Sequence, residues 1–328
     1  MTRTPGRRRI LQGATALLDA APRIAVAQEV TRDVRIIVPF APGGSVDVIA
    51  RLLAEAMPPL IGGRNLVVEN RTGAGGFIGL QAVATAPPDG HTLCIGSGTA
   101  LSVGPVIPGL TMPINPDRDL TPIVSLVGIP MVLVAHPGVP FRTLPEMIAY
   151  ARANPGRLIA ATAGAGTSTH LMVARIANEA GIEIEYVPYR GGTPALLDLV
   201  AGRVHIYMSL LTEVVAQIRQ GALLAIASAS LQPLAQLPGV PLISAVFPGY
   251  TGSSWYGLVG PAGLPQPWID FWAGRIRTLM AREAFRNRFI ERHFDVTTST
   301  TEAFHAQMQE ERRVWSAVIR AANIRITD

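Results

Sequence analysis

The sequence predicts an α/β fold of two lobes, each a mainly parallel sheet flanked by helices, the two joined by a pair of crossing strands. Three observations predict it. A short β-branched run, a Gly-rich loop and an apolar-striped helix follow one another repeatedly, which is the rhythm of βαβ units. That rhythm comes in two sets, one opening near residue 30 and the other spanning about 140–228, with further strands between and after them. A length of 328 residues with 48% hydrophobic side chains is enough for two domains with sizeable cores.

The first unit carries the most information. Ile36, Ile37 and Val38, within a strand over 35–38, form a β-branched run suited to a parallel strand covered on both faces. Pro39 and Pro42 stop strand or helix from continuing through the loop that follows. Gly43 and Gly44 let the backbone turn sharply and leave its N–H groups uncovered. Ser45 is the expected N-cap, and Val46, Ile49, Ala50 and Leu53 give the next helix an apolar stripe. Free N–H groups at the positive end of a helix make an anion site without a charged side chain; an ordinary strand-to-helix connection is the competing reading.

The chain continues with a strand over 65–69, a Gly-rich loop over 70–76 and a helix over 77–86. After the turn at 87–90 comes a strand over 91–96, ending in Ser97-Gly98-Thr99-Ala100. Residues 102–119 read as a proline-rich loop, and 122–126 and 131–135 as two strands. Thr143 with Glu146 three residues on is a capping box that opens a helix ending near Pro155. The rhythm then resumes: strand 158–162, loop 163–169, helix 170–180, strand 183–187, loop 188–194, helix 195–201, strand 204–208, helix 214–220 and strand 223–227. A further apolar strand over 254–260 leads to a helical tail: 267–282, 283–293 and 302–322. Strands 131–135 and 254–260 flank the second set and are the natural crossings. The expected division is 28–130 plus 251–328 for the first lobe and 131–250 for the second.

Composition excludes several functions. All 28 basic residues are arginine, so neither a Schiff-base lysine nor a P-loop lysine exists. Cys94 is the single cysteine, which removes intrachain disulfides and multi-cysteine metal sites; it reads as a small apolar strand residue. The six histidines show no H-x-x-x-H pairing, so no metal is expected. The net charge of +5 resides mostly in residues 1–27, which hold Arg3, Arg7, Arg8, Arg9 and Arg23 against Asp19. The remainder is close to neutral, so no nucleic-acid partner is expected. Residues 1–27 look like an export signal: Arg7-Arg8-Arg9-Ile10-Leu11 fits a twin-arginine pattern and Ala25-Val26-Ala27 a small-residue cleavage site, although Asp19, Pro22 and Arg23 interrupt the apolar region between them. Elsewhere no run approaches roughly 18 uninterrupted apolar residues, so no membrane-spanning helix is expected.

Gly-rich loops that recur after strands line the crevice at the carboxyl ends of open α/β sheets, and two lobes facing each other make a cleft that closes on a small molecule. Gly73-Ala74-Gly75-Gly76-Phe77-Ile78 misses the dinucleotide fingerprint by placing Ile78 where its third glycine belongs. No G-x-S-x-G elbow exists, because His170 stands two residues after Ser168. Ser168 and Thr169 therefore read as hydrogen-bond donors or helix caps rather than nucleophiles. Asp47 either binds a ligand amine or caps its own loop; Tyr189 either packs over a ligand or covers a strand end; Arg190 is a solvated charge or an anion clamp; His170 is a cap or packing residue sooner than a base.

Taken together, several stretches resemble the Bug family, the extracytoplasmic solute receptors of tripartite tricarboxylate transporters. They are Ile37-Val38-Pro39-Phe40-Ala41-Pro42-Gly43-Gly44-Ser45-Val46-Asp47, Val68 to Gly76, Pro88 to Leu93, Ala163 to Leu171, Val187 to Ala195, and Trp255-Tyr256-Gly257-Leu258 with Pro261-Ala262-Gly263. The resemblance runs over about 30–322 in one order. It implies a type II-like, two-lobed periplasmic binding protein, not an enzyme and without a cofactor, that holds a small organic acid and hands it to membrane transporter subunits, acting as a monomer. The family's first loop maps onto Phe40, Ala41, Gly44, Ser45 and Asp47. Its second-lobe loops map onto Ala165, Thr167, Ser168 and Thr169, and onto Tyr189, Gly191 and Gly192. Where the family commonly has Asp or a similar polar residue and then Asn, this chain has Ser209, itself an expected ligand contact, and Leu210, which weakens the case for an amino-acid ligand; His205 replaces a usual acidic residue. A nicotinamide-dependent Rossmann-like enzyme and a ligand sensor for a signalling partner are the alternatives.

Overall fold

Residues 1–2 and 28–321 are described by a computed structural model, so the expected signal motifs at Arg7–Leu11 and Ala25–Ala27 lie outside the described residues. The first unit forms β1 (Val34–Val38) and α1 (Ser45–Ala56), followed by β2 (Leu66–Asn70), α2 (Phe77–Ala84) and β3 (Thr92–Ser97). β1 lies between β2 and β3, parallel to both. Its alternation decides which helix covers which face. Val34, Ile36 and Val38 pack with Val46, Ile49, Ala50 and Leu53 of α1, whereas Ile37 packs with Phe77, Leu80 and Val83 of α2.

The stretch expected as loop contains helical turns at Thr99–Val103 and Gly104–Val106 and a short helix, α3 (Pro116–Asp119), capped by the Asn115 side chain on the Asp117 N–H. The two strands expected over 122–135 are one, β4 (Leu120–Ala135). Gly128 and Pro130 suggest a break, but proline's φ suits extended chain, and its missing donor falls where β4 changes partners. Residues 120–130 pair antiparallel with β9 (Ser253–Pro261), and residues 131–135 pair antiparallel with β7 (Ile206–Leu210) and β8 (Leu224–Ser228).

The second half repeats the plan. After α4 (Leu144–Ala153) come β5 (Ile159–Thr162), α5 (Ser168–Ala180), β6 (Glu185–Pro188) and α6 (Gly192–Val200); α7 (Leu211–Arg219) follows β7 directly. β5 is parallel to both β6 and β7, mirroring β2-β1-β3. Each lobe is thus a parallel three-strand set extended by antiparallel strands. Thr143 caps α4 as expected, but Glu146 reaches the N–H of Arg142, one residue upstream of the reciprocal partner. The chain returns through 229–252, where Ala229 N–H donates to the Met131 carbonyl and Gly252 N–H to that of Ala229. β9 then pairs with β3 and β4. The tail forms α8 (Gln266–Met280), α9 (Glu283–Ile290), β10 (Asp295–Val296) on β4, and α10 (Thr301–Ala321), whose Phe304 meets Trp255 edge-on. No helix among the described residues is long and apolar enough to cross a membrane.

Candidate functional site between the lobes

The carboxyl ends of β1, β3, β5 and β7 point at one another, and the loops after them close over a narrow chamber of about 30 Å³. Phe40, Ala41, Gly44, Ser45 and Val46 line it from the first lobe, with Ser97 and Thr99 after β3 and Tyr256 on β9. Ala163, Thr167, Ser168, Thr169 and Gly192 line it from the second lobe, with Tyr207, Leu210 and Glu213 at the junction of β7 and α7. Of the expected site residues, Phe40, Ala41, Gly44, Ser45, Thr167, Ser168, Thr169 and Gly192 therefore meet in one place.

The first loop is built differently from the sequence expectation. Gly43, at φ +80°, makes the turn, and its N–H is taken by Asp47 Oδ2 at 3.0 Å. Gly44 has an ordinary φ of −77°, and its N–H points back to the Ala41 carbonyl. The glycine N–H groups are therefore not the uncovered ones. Ser45 is the first residue of α1 rather than its cap: Gly44 stands at the cap and no side chain caps the helix. The Ser45 hydroxyl faces the other lobe, 2.7 Å from Thr212 Oγ1 and 3.1 Å from Glu213 Oε1. Asp47, only 3% exposed, turns away from the chamber. It accepts from Gly43 N–H, Asn70 Nδ2 and the Arg51 guanidinium, so it caps its own loop. Burial works to raise its pKa, but those donors hold it below the usual carboxylate range.

In the second lobe, the α5 N-terminus faces the chamber. Thr167 Oγ1 donates to the Gly164 carbonyl and Thr169 Oγ1 accepts from Ala163 N–H, which fixes the loop. Among the described residues no acceptor meets the backbone N–H groups of Ser168 and Thr169. His170 is a packing and capping residue: Nδ1 accepts from Gly166 N–H, the ring meets Tyr186 edge-on at 4.7 Å, and burial lowers its pKa to about 4. Tyr189 and Ala165 line a second cavity at the mouth of the cleft, not the chamber. The Tyr189 hydroxyl donates to Asp198 at 2.6 Å, so Tyr189 covers the strand end. Exposed Arg190 lies at that mouth without an ion pair among the described residues. Gly191 packs its Cα on the first loop, where a Cβ would come within 3.1 Å of Ala41 N. Ser209 is buried below the chamber, its hydroxyl 3.5 Å from Glu213 Oε2. His205 has a structural role: its Nδ1 accepts from Ile159 N–H at the start of β5.

Residues the sequence reading missed complete the lining: Val46, Ser97, Thr99, Ala163, Tyr207, Leu210, Glu213 and Tyr256. Ser97 and Thr99 follow a strand of the same rhythm, and that position was their signal. Glu213 had a positional signal too, as an acid in the first turn of a helix after a parallel strand. Burial raises its pKa, against the Ser45 backbone N–H and the Ser45, Ser209 and Tyr207 hydroxyls, which favour the charged form. The buried Tyr207 hydroxyl lies beside Glu213 and Ser209 but makes no well-formed hydrogen bond to either. No arginine or histidine lines the chamber, and no cluster of potential metal ligands occurs among the described residues. What it offers is backbone N–H groups at helix N-termini, hydroxyls and one carboxyl group.

Comparison with known proteins extends this picture. The family model described as "Tripartite tricarboxylate transporter family receptor" matches residues 49–324. A "UPF0065 protein in tcbD-tcbE intergenic region" of Pseudomonas sp. (strain P51) is 40% identical over 269 residues, covering 81% of this chain and 79% of that protein. "Protein BugT" of Bordetella pertussis is 31% identical over 301 residues, covering 90% of each. Among solved structures, that of R. palustris Rpa4515 with adipate superposes with a TM-score of 0.84 at 27% identity, covering 90% of this chain and 98% of that one. The periplasmic binding protein BugD gives 0.82 at 30%, covering 90% and 99%. MatC from Rhodopseudomonas palustris with bound malate gives 0.83 at 29%, covering 88% and 99%.

Proposed function

The chain belongs to the tripartite tricarboxylate transporter receptor family, and on that premise we propose that its interlobe chamber captures a small organic carboxylate in the periplasm and presents it to the membrane subunits of a transporter of that type. As a member of the family it is a solute-binding receptor of the two-lobed fold. The observation that carries the carboxylate reading is the α5 N-terminus. Ser168 and Thr169 present unpaired N–H groups to the chamber, at the positive end of a 13-residue helix and among hydroxyl donors. Relatives solved with adipate and with malate add support. The residues we assign to ligand contact are Phe40, Ala41, Gly44, Ser45, Thr167, Ser168, Thr169 and Gly192, with Ser97, Thr99, Tyr207 and Tyr256.

The lobes meet through short contacts on both sides of the chamber. Thr193 Oγ1 donates to the Pro42 carbonyl, Ser45 meets Thr212, and Ser168 Oγ lies 3.5 Å from Ser254 Oγ. We read this as the closed form of a clamp whose division falls near 130/131 and 250/251, with the Met131–Ala229–Gly252 ladder as its hinge. Isothermal titration against monocarboxylates, dicarboxylates, tricarboxylates and amino acids tests the reading. Micromolar or tighter binding of at least one acid is expected, and binding of none contradicts it.

A further inference from the structure

Glu213 raises a problem that the carboxylate reading leaves open. It is a half-buried acid set between the chamber and an adjoining cavity. Among the described residues it forms no ion pair. Arg292, which lines the adjoining cavity with Glu213, makes no ion pair with it and donates Nη1 to the Arg288 carbonyl. A carboxylate partly withdrawn from solvent needs compensation. Here it comes from uncharged groups, all of them donors. Oε1 receives the Ser45 N–H at a long 3.4 Å and the Ser45 hydroxyl at 3.1 Å. With Glu213 ionised, the single Ser45 proton is used on Oε1 and Thr212 donates into Ser45, a directed chain ending on the carboxylate. The carboxylate also lies against the first residue of α6, where a Cβ on Gly192 would run into it. Its own backbone is the third residue of α7. Three helix N-termini, those of α1, α6 and α7, therefore converge on Glu213, and each favours negative charge there.

We propose that Glu213 determines the class of ligand: as an ionised carboxylate it takes the anion seat at the α1 N-terminus, so the chamber accepts an acid with one carboxylate at the α5 N-terminus and a protonated amine at its other end, against Glu213. This rests on the carboxylate reading of the chamber. A second ligand carboxylate would face a like charge in a confined site with no cationic side chain among the chamber's lining residues. A ligand ammonium would supply the cation that Glu213 lacks, and the Tyr207 hydroxyl on the same wall, which makes no well-formed bond to Glu213 beside it, would gain an acceptor from the ligand. The sequence argued against an amine-bearing ligand because Ser209 and Leu210 stand where an acid would pair with it. The structure brings an acid to that spot from four residues further on, with Glu213 Oε2 3.5 Å from Ser209 Oγ.

The test uses pairs matched in chain length, titrated calorimetrically into the wild-type protein and Glu213→Gln: β-alanine with succinate, 4-aminobutyrate with glutarate, 5-aminovalerate with adipate. The amino acid of the best-binding pair is expected to bind the wild type more tightly by about tenfold or more, and Glu213→Gln to erase or invert that ratio. A thermal melt establishes that the variant is folded, and Glu213→Asp is expected to restore part of the preference. If the wild type prefers the dicarboxylate, the inference is overturned while the carboxylate reading stands. A dicarboxylate affinity that weakens as pH rises from 5 to 8, with that weakening lost in Glu213→Gln, also overturns it, because Glu213 would then be a protonated donor. If no acid binds, both readings fall together.

Discussion

Gly75 gives the sharpest handle on lobe closure. It sits on the first lobe at φ 62°, ψ 18°, and faces the Gly164-Ala165 turn of the second. A Cβ added there would lie 2.7 Å from the Ala165 carbonyl oxygen, a backbone atom that cannot rotate aside. Gly75→Ala therefore has two effects. The left-handed backbone costs an L-residue about 1–2 kcal/mol in open and closed forms alike, which lowers thermal stability but not affinity. The clash exists only when the lobes meet, and overpacking of that kind costs about 1–3 kcal/mol, a weakening of roughly five- to 150-fold in Kd. Gly156→Ala is the control, since Gly156 has φ +70° with nothing within 4 Å of its would-be Cβ. Calorimetry with the best-binding acid, paired with small-angle scattering for ligand-induced compaction, separates the effects. Gly75→Ala should lose affinity and compaction, whereas Gly156→Ala should lose stability alone. Equal affinity for wild type and Gly75→Ala would refute the reasoning that this contact forms on closure.

Further outcomes follow from the same geometry. Gly43→Ala should destabilise the protein by about 1–2 kcal/mol in urea melts because of its φ of +80°. Gly44→Ala should be nearly neutral in stability, since a Cβ there finds only ordinary contacts at 3.5 Å and beyond. Asp47→Ala strands the Gly43 N–H and Asn70 amide donors and should cost about 2–4 kcal/mol. Asp47 has a lowered pKa in the folded state, so it stabilises above the usual value of 3.8 and that contribution is lost as pH falls through the depressed folded value; Asp47→Asn should flatten this part of the acid limb. Glu311 is pushed up to about 7 by burial, against the hydrogen bond from the Trp255 indole. The folded protein then holds a proton that the unfolded chain releases above about 4.5, so stability declines from there to about pH 7, by as much as ~3 kcal/mol. Glu311→Gln should raise Tm more at pH 8 than at pH 5.

Much of the architecture is legible in the sequence because each βα unit announces itself locally. Ile36-Ile37-Val38 followed by two prolines and two glycines can hardly be read otherwise, and the structure places β1, the turn and α1 there. Local rules fail where tertiary pairing decides. β4 reads as two strands because Gly128 and Pro130 look like a break, yet two sheets share it as one continuous strand. The site was half legible for a similar reason. Loops after strands in the Gly-rich rhythm point to Gly44, Ser45, Thr167, Ser168 and Gly192, all in the chamber. Nothing local tells that the Gly43 and Gly44 N–H groups are consumed by Asp47 and Ala41, or that Tyr207 and Tyr256 come from strands of different halves to meet there. Glu213 was passed over because a first-turn glutamate ordinarily complements its own helix dipole.

The central claim is that a ligand carboxylate sits on the α5 N-terminus between the lobes. A crystal structure of the protein purified from its native host without refolding, with retained ligand, tests it most directly. The account predicts carboxylate oxygens within hydrogen-bonding distance of the Ser168 and Thr169 N–H groups, inside the chamber bounded by Ser45, Tyr207 and Tyr256. A ligand bound elsewhere, or one in the chamber with its carboxylate turned away from α5, would contradict it.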